Sequence, residues 1–121
     1  MSIVEIKQLF AESIRIKKQV LESDKLNVLA HMADVSSIAI QQGNKLMLCG
    51  NGGSAADAQH LAAEMLVRLH PHKNREGIPA IALAQDTSTM TACGNDFGYE
   101  LLFERMVCTL GNKGDILIGI T

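Results

Sequence analysis

"KLMLCGNGGSAADAQHLAAEML", residues 45–66, decides how this chain folds. An apolar run stops at Cys49, Gly50-Asn51-Gly52-Gly53 crowds three glycines into four positions, and an alanine-rich segment follows from Ser54. A short apolar run leading into glycine has the pattern of a strand buried on both faces of a parallel sheet, and 54–69 reads as the helix after it. In an open parallel sheet, ligands bind beyond the carboxyl ends of the strands, where residues 50–54 fall. Glycines there allow positive φ and let a ligand approach without a Cβ in the way. The helix aims its free N–H groups and the positive end of its dipole into the same space. Ser54 is expected to act both as helix N-cap and as a hydroxyl donor. Such a turn suits an oxygen-rich or anionic small molecule.

Other readings of the turn compete with this one. Gly50 to Ala55 matches G-x-G-x-x-A, but the dinucleotide fingerprint also wants an acidic residue about 20 positions on, and the candidate here, Asp86, comes far too late. No G-K-[ST] exists to make a Walker loop. A tight strand-to-helix turn without a ligand stays open. His60 and Glu64, spaced i, i+4, lie on one helix face. They can share a metal, or set a basic carboxylate beside an imidazole, or be a surface hydrogen-bonded pair. His70 and His72 fall in a polar loop and read as solvated, His31 as a partly exposed helix residue. Asn95 and Asp96 follow an expected break at Gly94. Asp96 is either a cap for the next helix or, with Asn95, a ligand for hydroxyls. The methionines read as core filling, and Glu100, Glu104 and Arg105 as a solvated helix face.

Working outward, Ser2 and Glu5 have capping-box spacing. Ile6, Leu9, Phe10 and Ile14 follow at helical period. Ser23-Asp24 can cap a second helix with an apolar face of Leu26, Leu29, Met32, Ala33, Ser36 and Ile40, ended by Gly43 in the left-handed position. "AIALA" (80–84) and "DILIGIT" (115–121) are two further buried strands. A short helix and another from "FGYELLFERMVCTLG", closed by Gly111, lie between them. Two N-terminal helices (1–43) before a β-α-β-α-β part (44–121) make one α/β domain with a parallel sheet. A parallel sheet needs both faces covered, and the third strand has no following helix. Residues 1–121 are therefore expected to be the front part of a longer domain.

Composition narrows the partners. With 121 residues, 47% hydrophobic and 20% charged, the chain is an ordinary globular one. A formal charge of −2 supplies no field for nucleic acid or an anionic membrane, so any anion is held by local groups. One Tyr, three Phe and no Trp leave few stacking platforms for bases. No apolar run approaches the roughly 20 residues of a membrane span, and the N-terminus lacks the apolar core of a signal peptide. Cys49, Cys93 and Cys108 form neither a disulfide framework nor a zinc knuckle, and suit a reducing cytoplasm.

Together these residues resemble the phosphoheptose isomerases, members of the sugar isomerase (SIS) fold family. The resemblance is carried by "CGNGGSAADAQHLAAE" (49–64) and "GNDFGYE" (94–100), and more generically by "GIPAIAL" (77–83) and "GDILIGIT" (114–121). It implies a SIS-type three-layer sandwich with a parallel sheet, preceded by two N-terminal helices. It also implies a homotetramer that interconverts D-sedoheptulose 7-phosphate and D-glycero-D-manno-heptose 7-phosphate through an enediol, supplying activated heptose for lipopolysaccharide. By position, Asn51, Gly52, Gly53, Ser54, Glu64, Asn95, Asp96 and Thr121 are expected to bind the sugar phosphate. Glu64 is expected to move the proton, and His60 and Glu64 to be two ligands of one zinc ion per subunit, the others lying beyond residue 121. The same fold includes non-enzymatic proteins that associate with a replication initiator. Their turn reads G-N-G-T and they lack the glutamate, whereas this chain has Gly53 and Glu64.

Overall fold

The computed structural model describes residues 2–83 and 86–121. They form two compact units, one ending at Val35 and the other beginning at Ser36. Helix α1 (Ile3–Leu21) starts on the capping box: Ser2 Oγ accepts from Glu5 N at 3.3 Å, and Ser2 N donates to the Glu5 carboxylate at 2.5 Å. Ser23 joins this helix to α2 (Lys25–Gln41). Its hydroxyl donates to the Val20 carbonyl and accepts from the Lys25 amide. At the far end of α2, Gly43 takes φ +85°, and Gly43 N and Asn44 N donate to the Ile40 and Ala39 carbonyls. That pair of bonds satisfies the carbonyls a helix end leaves orphaned. No residue of α1 is buried, and its Leu9 and Phe10 are 61% and 68% exposed.

The second unit is built on a three-stranded parallel sheet in the order β2-β1-β3: β1 (Leu46–Gly50), β2 (Ala80–Ala82) and β3 (Ile116–Ile120). The expected strands are all present: β1 has the expected length but begins and ends one residue later than 45–49, and β2 and β3 are shorter than their apolar runs; Ala84, the end of the second run, lies outside the described residues. Leu46, Met47 and Leu48 are at most 4% exposed, because β1 has a neighbour on each edge and side chains over each face. On one face Leu46 and Leu48 pack with Ala58 and Ala62 of α3 (Gly53–Leu66), where alanine allows close approach. Met47 alternates to the other face, toward Gly111 at the end of α5 (Leu102–Leu110).

Between β2 and α5 runs α4 (Thr87–Asp96), capped by the Asp86 carboxylate, which accepts from Thr89 N at 2.7 Å. The break expected at Gly94 does not occur. Gly94 keeps a helical backbone and α4 runs through it, since one internal glycine costs only about 1 kcal/mol. The chain turns instead at Gly98, φ +94°, before a 3-10 turn at Tyr99–Leu101. Asp96 therefore ends α4 and is not a cap for the next helix. Cys93 and Leu102, packed with Met90, Phe103 and Met106, hold α4 and α5 together.

The amino ends of β1 and β3 are laced by polar contacts. Asp115, its side chain 6% exposed, accepts from Lys45 N at 2.9 Å, from Asn112 N at 2.7 Å, and forms an ion pair with Lys45 Nζ. The Lys45 ammonium first, then the Lys45 and Asn112 amides, hold its carboxyl at about 2. An unfolded Asp titrates near 3.9, so this contribution to stability is complete above that value and is lost as pH falls through about 2. Asp115→Asn is expected to lower the melting temperature at pH 7 and to flatten its fall between pH 4 and pH 2. An unchanged acid limb in the variant would assign that limb to other carboxylates.

Candidate functional site

The strand order sets the site. With β1 central, the chain leaves it to one side for β2 and returns to the other side for β3. The crevice beyond the carboxyl ends of β1 and β3 is then the topological switch point, the usual ligand position in open α/β sheets. Asn51 to Ser54 follow β1 into this crevice. Thr121 follows β3, and the register pairing Gly50 with Ile120 sets it beside them.

The three glycines of the turn have three different reasons. A Cβ at Gly50 would lie 2.7 Å from the backbone and Cβ of Ser54, so the first is required by close packing of strand against helix. Gly52 takes φ +56°, a conformation L side chains rarely adopt, and is the N-cap of α3. Gly53 meets nothing within 4 Å. The fold does not demand the third glycine, and its missing Cβ leaves open space at the helix N-terminus.

Gly52 as N-cap corrects the role expected of Ser54, which lies inside the first turn and is half-buried against Gly50. A side-chain cap is not needed where the turn folds back on itself. Ser54 N donates to the Asn51 carbonyl at 3.0 Å, and Ala55 N and Ala56 N donate to the Gly52 carbonyl. Among the described residues the amides of Gly52 and Gly53 have no partner, so these two carry the positive end of the helix.

Asn51 is exposed, and its Oδ1 accepts from the Tyr99 hydroxyl at 2.7 Å. This bond ties the glycine turn to the segment after α4. Asn95 and Asp96, the last residues of α4, pair with each other, Asn95 Nδ2 donating to Asp96 Oδ1 at 2.7 Å. Both are exposed, and among the described residues neither bonds to the glycine turn.

His60 and Glu64 stand apart from this group. They occupy one face of α3, Nε2 to Oε1 at 3.6 Å, with side chains 73% and 24% exposed. Helical rise puts Glu64 roughly 16 Å along the axis from Gly53, so the chain by itself does not bring the pair to the turn. As zinc donors the two fit each other. Ligands on a tetrahedral ion with bonds of about 2.0–2.1 Å lie about 3.3 Å apart, near the observed separation. Among the described residues no group of three or more His, Cys, Asp and Glu is placed to hold a metal ion.

Two residues absent from the sequence reading shape the site. Tyr99 gave no signal because nothing in spacing connects positions 51 and 99. Arg75, in a stretch that reads only as a polar loop, donates to the carbonyls of Glu64 at 2.6 Å and of Met65 and Glu76 at 2.8 Å. A cation at a helix C-terminus complements the dipole, and this one ends α3 at Leu66, three residues before the expected Leu69. His31, His70, His72, Glu100, Glu104 and Arg105 are exposed, as read from the sequence, with Arg105 stacked 3.7 Å over the Phe97 ring.

A chain with this fold and this turn falls in a recognised class. Residues 8–121 match the SIS domain family, and the chain belongs to it. It is similar to phosphoheptose isomerase 2 of Campylobacter jejuni, 51% identical over 117 residues that cover 96% of this chain and 57% of that protein. It is similar also to the phosphoheptose isomerase of Burkholderia pseudomallei, 51% identical over 110 residues, 90% of this chain and 55% of the relative. Among solved structures, a phosphoheptose isomerase from Francisella tularensis superposes with a TM-score of 0.90 at 36% identity, matching all of this chain and 62% of that one. Phosphoheptose isomerase GmhA from Neisseria gonorrhoeae gives 0.80 at 40%, over 97% and 59%. The chain thus spans somewhat more than half the length of these relatives. Among the described residues no helix is long and apolar enough to cross a membrane.

The glycines make a graded prediction. Gly50→Ala is expected to destabilise the fold by about 1–3 kcal/mol through overpacking, and Gly52→Ala also by about 1–3 kcal/mol, because its positive φ with ψ −122° is a conformation L residues rarely adopt. Gly53→Ala should change stability by less than about 0.5 kcal/mol, as surface substitutions do. Urea denaturation of the three variants checks the order, and a destabilised Gly53→Ala would return that glycine to a structural role.

Proposed function

We propose that the protein carrying this chain is an aldose–ketose isomerase acting on D-sedoheptulose 7-phosphate and D-glycero-D-manno-heptose 7-phosphate, in supply of ADP-heptose for lipopolysaccharide core. The observation that carries the reading is Glu64 beside His60 on α3, in a chain 51% identical to a phosphoheptose isomerase. Moving a carbonyl between C1 and C2 removes a proton α to it, gives an enediol, and returns the proton to the neighbouring carbon. Glu64 takes that proton and gives it back, one carboxylate serving both steps while the intermediate stays bound.

Asn51, Gly52, Gly53 and Ser54, with Asn95, Asp96 and Thr121, hold the phosphate and hydroxyls. The amides of Gly52 and Gly53, without a partner among the described residues, supply directed donors for negative oxygen. A zinc ion held by His60 and Glu64 supplies, when bound, a positive charge for the oxygens of the reacting carbons. Zinc takes four ligands, so two donors besides these complete the site. We place the working site between subunits of a homotetramer. Sharing closes the distance between the turn and Glu64, and assembly covers apolar side chains such as Leu9 and Phe10 that are bare within their own unit. Its three cysteines are free, which suits the cytoplasm.

Glu64→Gln in the whole protein is expected to reduce turnover of sedoheptulose 7-phosphate at least about a hundredfold, the usual loss with a general base. Gln keeps the size and hydrogen bonding but takes no proton. Wild-type turnover in the variant would remove Glu64 from the mechanism.

For the metal, His60→Ala should lower the zinc content of the purified whole protein sharply while leaving its helical circular dichroism unchanged, since His60 is largely exposed. Equal zinc in both proteins, by elemental analysis, would make the pair a surface hydrogen bond only.

A further inference from the structure

We infer that Tyr99 is a positioning residue that sets which end of the Asn51 amide meets the ligand, and so makes the glycine turn a site for an oxygen acceptor. A side-chain amide has an acceptor end and a donor end of nearly the same shape. The Tyr99 hydroxyl donates to Asn51 Oδ1 at 2.7 Å, which occupies the acceptor end. Asn51 Nδ2 has no partner among the described residues. Asn51 Nδ2 and the amides of Gly52 and Gly53 are thus three donors without a partner among the described residues, carried by consecutive residues of the turn that follows β1. Such a set recognises phosphoryl or carbonyl oxygen and disfavours a ligand group that must donate.

The phenol is well anchored for this task. Gly98 N donates to the Cys93 carbonyl at 3.0 Å, and Leu101 N to the Gly98 carbonyl at 3.3 Å. Leu102, just beyond, is 1% exposed in the cluster with Cys93. The turn that presents Tyr99 is therefore fixed at both ends. Without the hydroxyl, no other bond among the described residues holds the exposed Asn51 amide in this orientation.

The proposal rests on the ligand-binding part of the reading above, not on its chemistry, and the test separates them. The whole protein is prepared in a Glu64→Gln background that stalls turnover, and its affinity for sedoheptulose 7-phosphate and for inorganic phosphate is measured by calorimetry. Tyr99→Phe, which keeps the ring, is expected to weaken binding of the sugar phosphate about three- to tenfold, the range of one net hydrogen bond. The same change in an Asn51→Ala background should have no further effect, because the two residues act as one unit. A loss seen with inorganic phosphate as well assigns the acceptor to a phosphoryl oxygen; a loss with the sugar phosphate alone assigns it to an oxygen of the sugar. Unchanged affinity, or the same loss with and without Asn51, overturns the proposal. Coupled losses in a protein whose Glu64 form turns over no substrate uphold Tyr99 and overturn the isomerase reading. No binding to the parent protein overturns both.

Discussion

Both edges of β1 are taken by parallel neighbours, and most of the second unit follows from that. A strand in this position has no solvated face, so Leu46, Met47 and Leu48 are apolar in succession and nearly inaccessible. Parallel neighbours cannot be joined by tight hairpins. The chain must cross over through α3 and again through α4 and α5, and every strand points its carboxyl end the same way. The loops that leave those ends gather at one edge, and that edge is where Asn51, Gly52, Gly53 and Thr121 lie.

The opposite edge is devoted to holding register. Asp115 binds the Lys45 amide and ammonium, Ile116 N donates to the Lys45 carbonyl, and Gly114 at φ +99° passes so close to Asn44 that a Cβ there would lie 2.7 Å from its amide. A slip of one residue would turn the side chains of β3 to the wrong faces. The contacts that hold register and the glycine turn thus lie at opposite ends of the same strands. The turn can then keep an open Gly53, and amides without a partner among the described residues, without loosening the sheet.

α3 connects the two kinds of work. Its first turn faces the crevice, its Ala58 and Ala62 pack on the sheet, and its last turn carries Glu64 under the grip of Arg75 on the backbone. The helix is a rigid spacer, so the distance between donor amides and carboxylate is fixed by its rise.

Local chemistry made a large share of this legible in the sequence. The capping box at Ser2, the left-handed Gly43, the three apolar runs and the glycine turn each act through neighbours in the chain, so composition and spacing suffice to find them. The i, i+4 relation of His60 and Glu64 is of the same kind. Where a choice depended on weighing local against non-local terms, the sequence was a poorer guide. Gly94 reads as a break, yet the helix passes through because the Asp86 cap and the Cys93–Leu102 contact outweigh one glycine. Ser54 reads as a cap, yet Gly52 takes the place because Gly50 packs directly on Ser54. Strand order, the switch point beside β1 and β3, the Tyr99–Asn51 bond and the reach of Arg75 to Glu64 were decided only in three dimensions. Each joins residues whose approach is set by the packing of whole elements, and no periodicity in the chain encodes it.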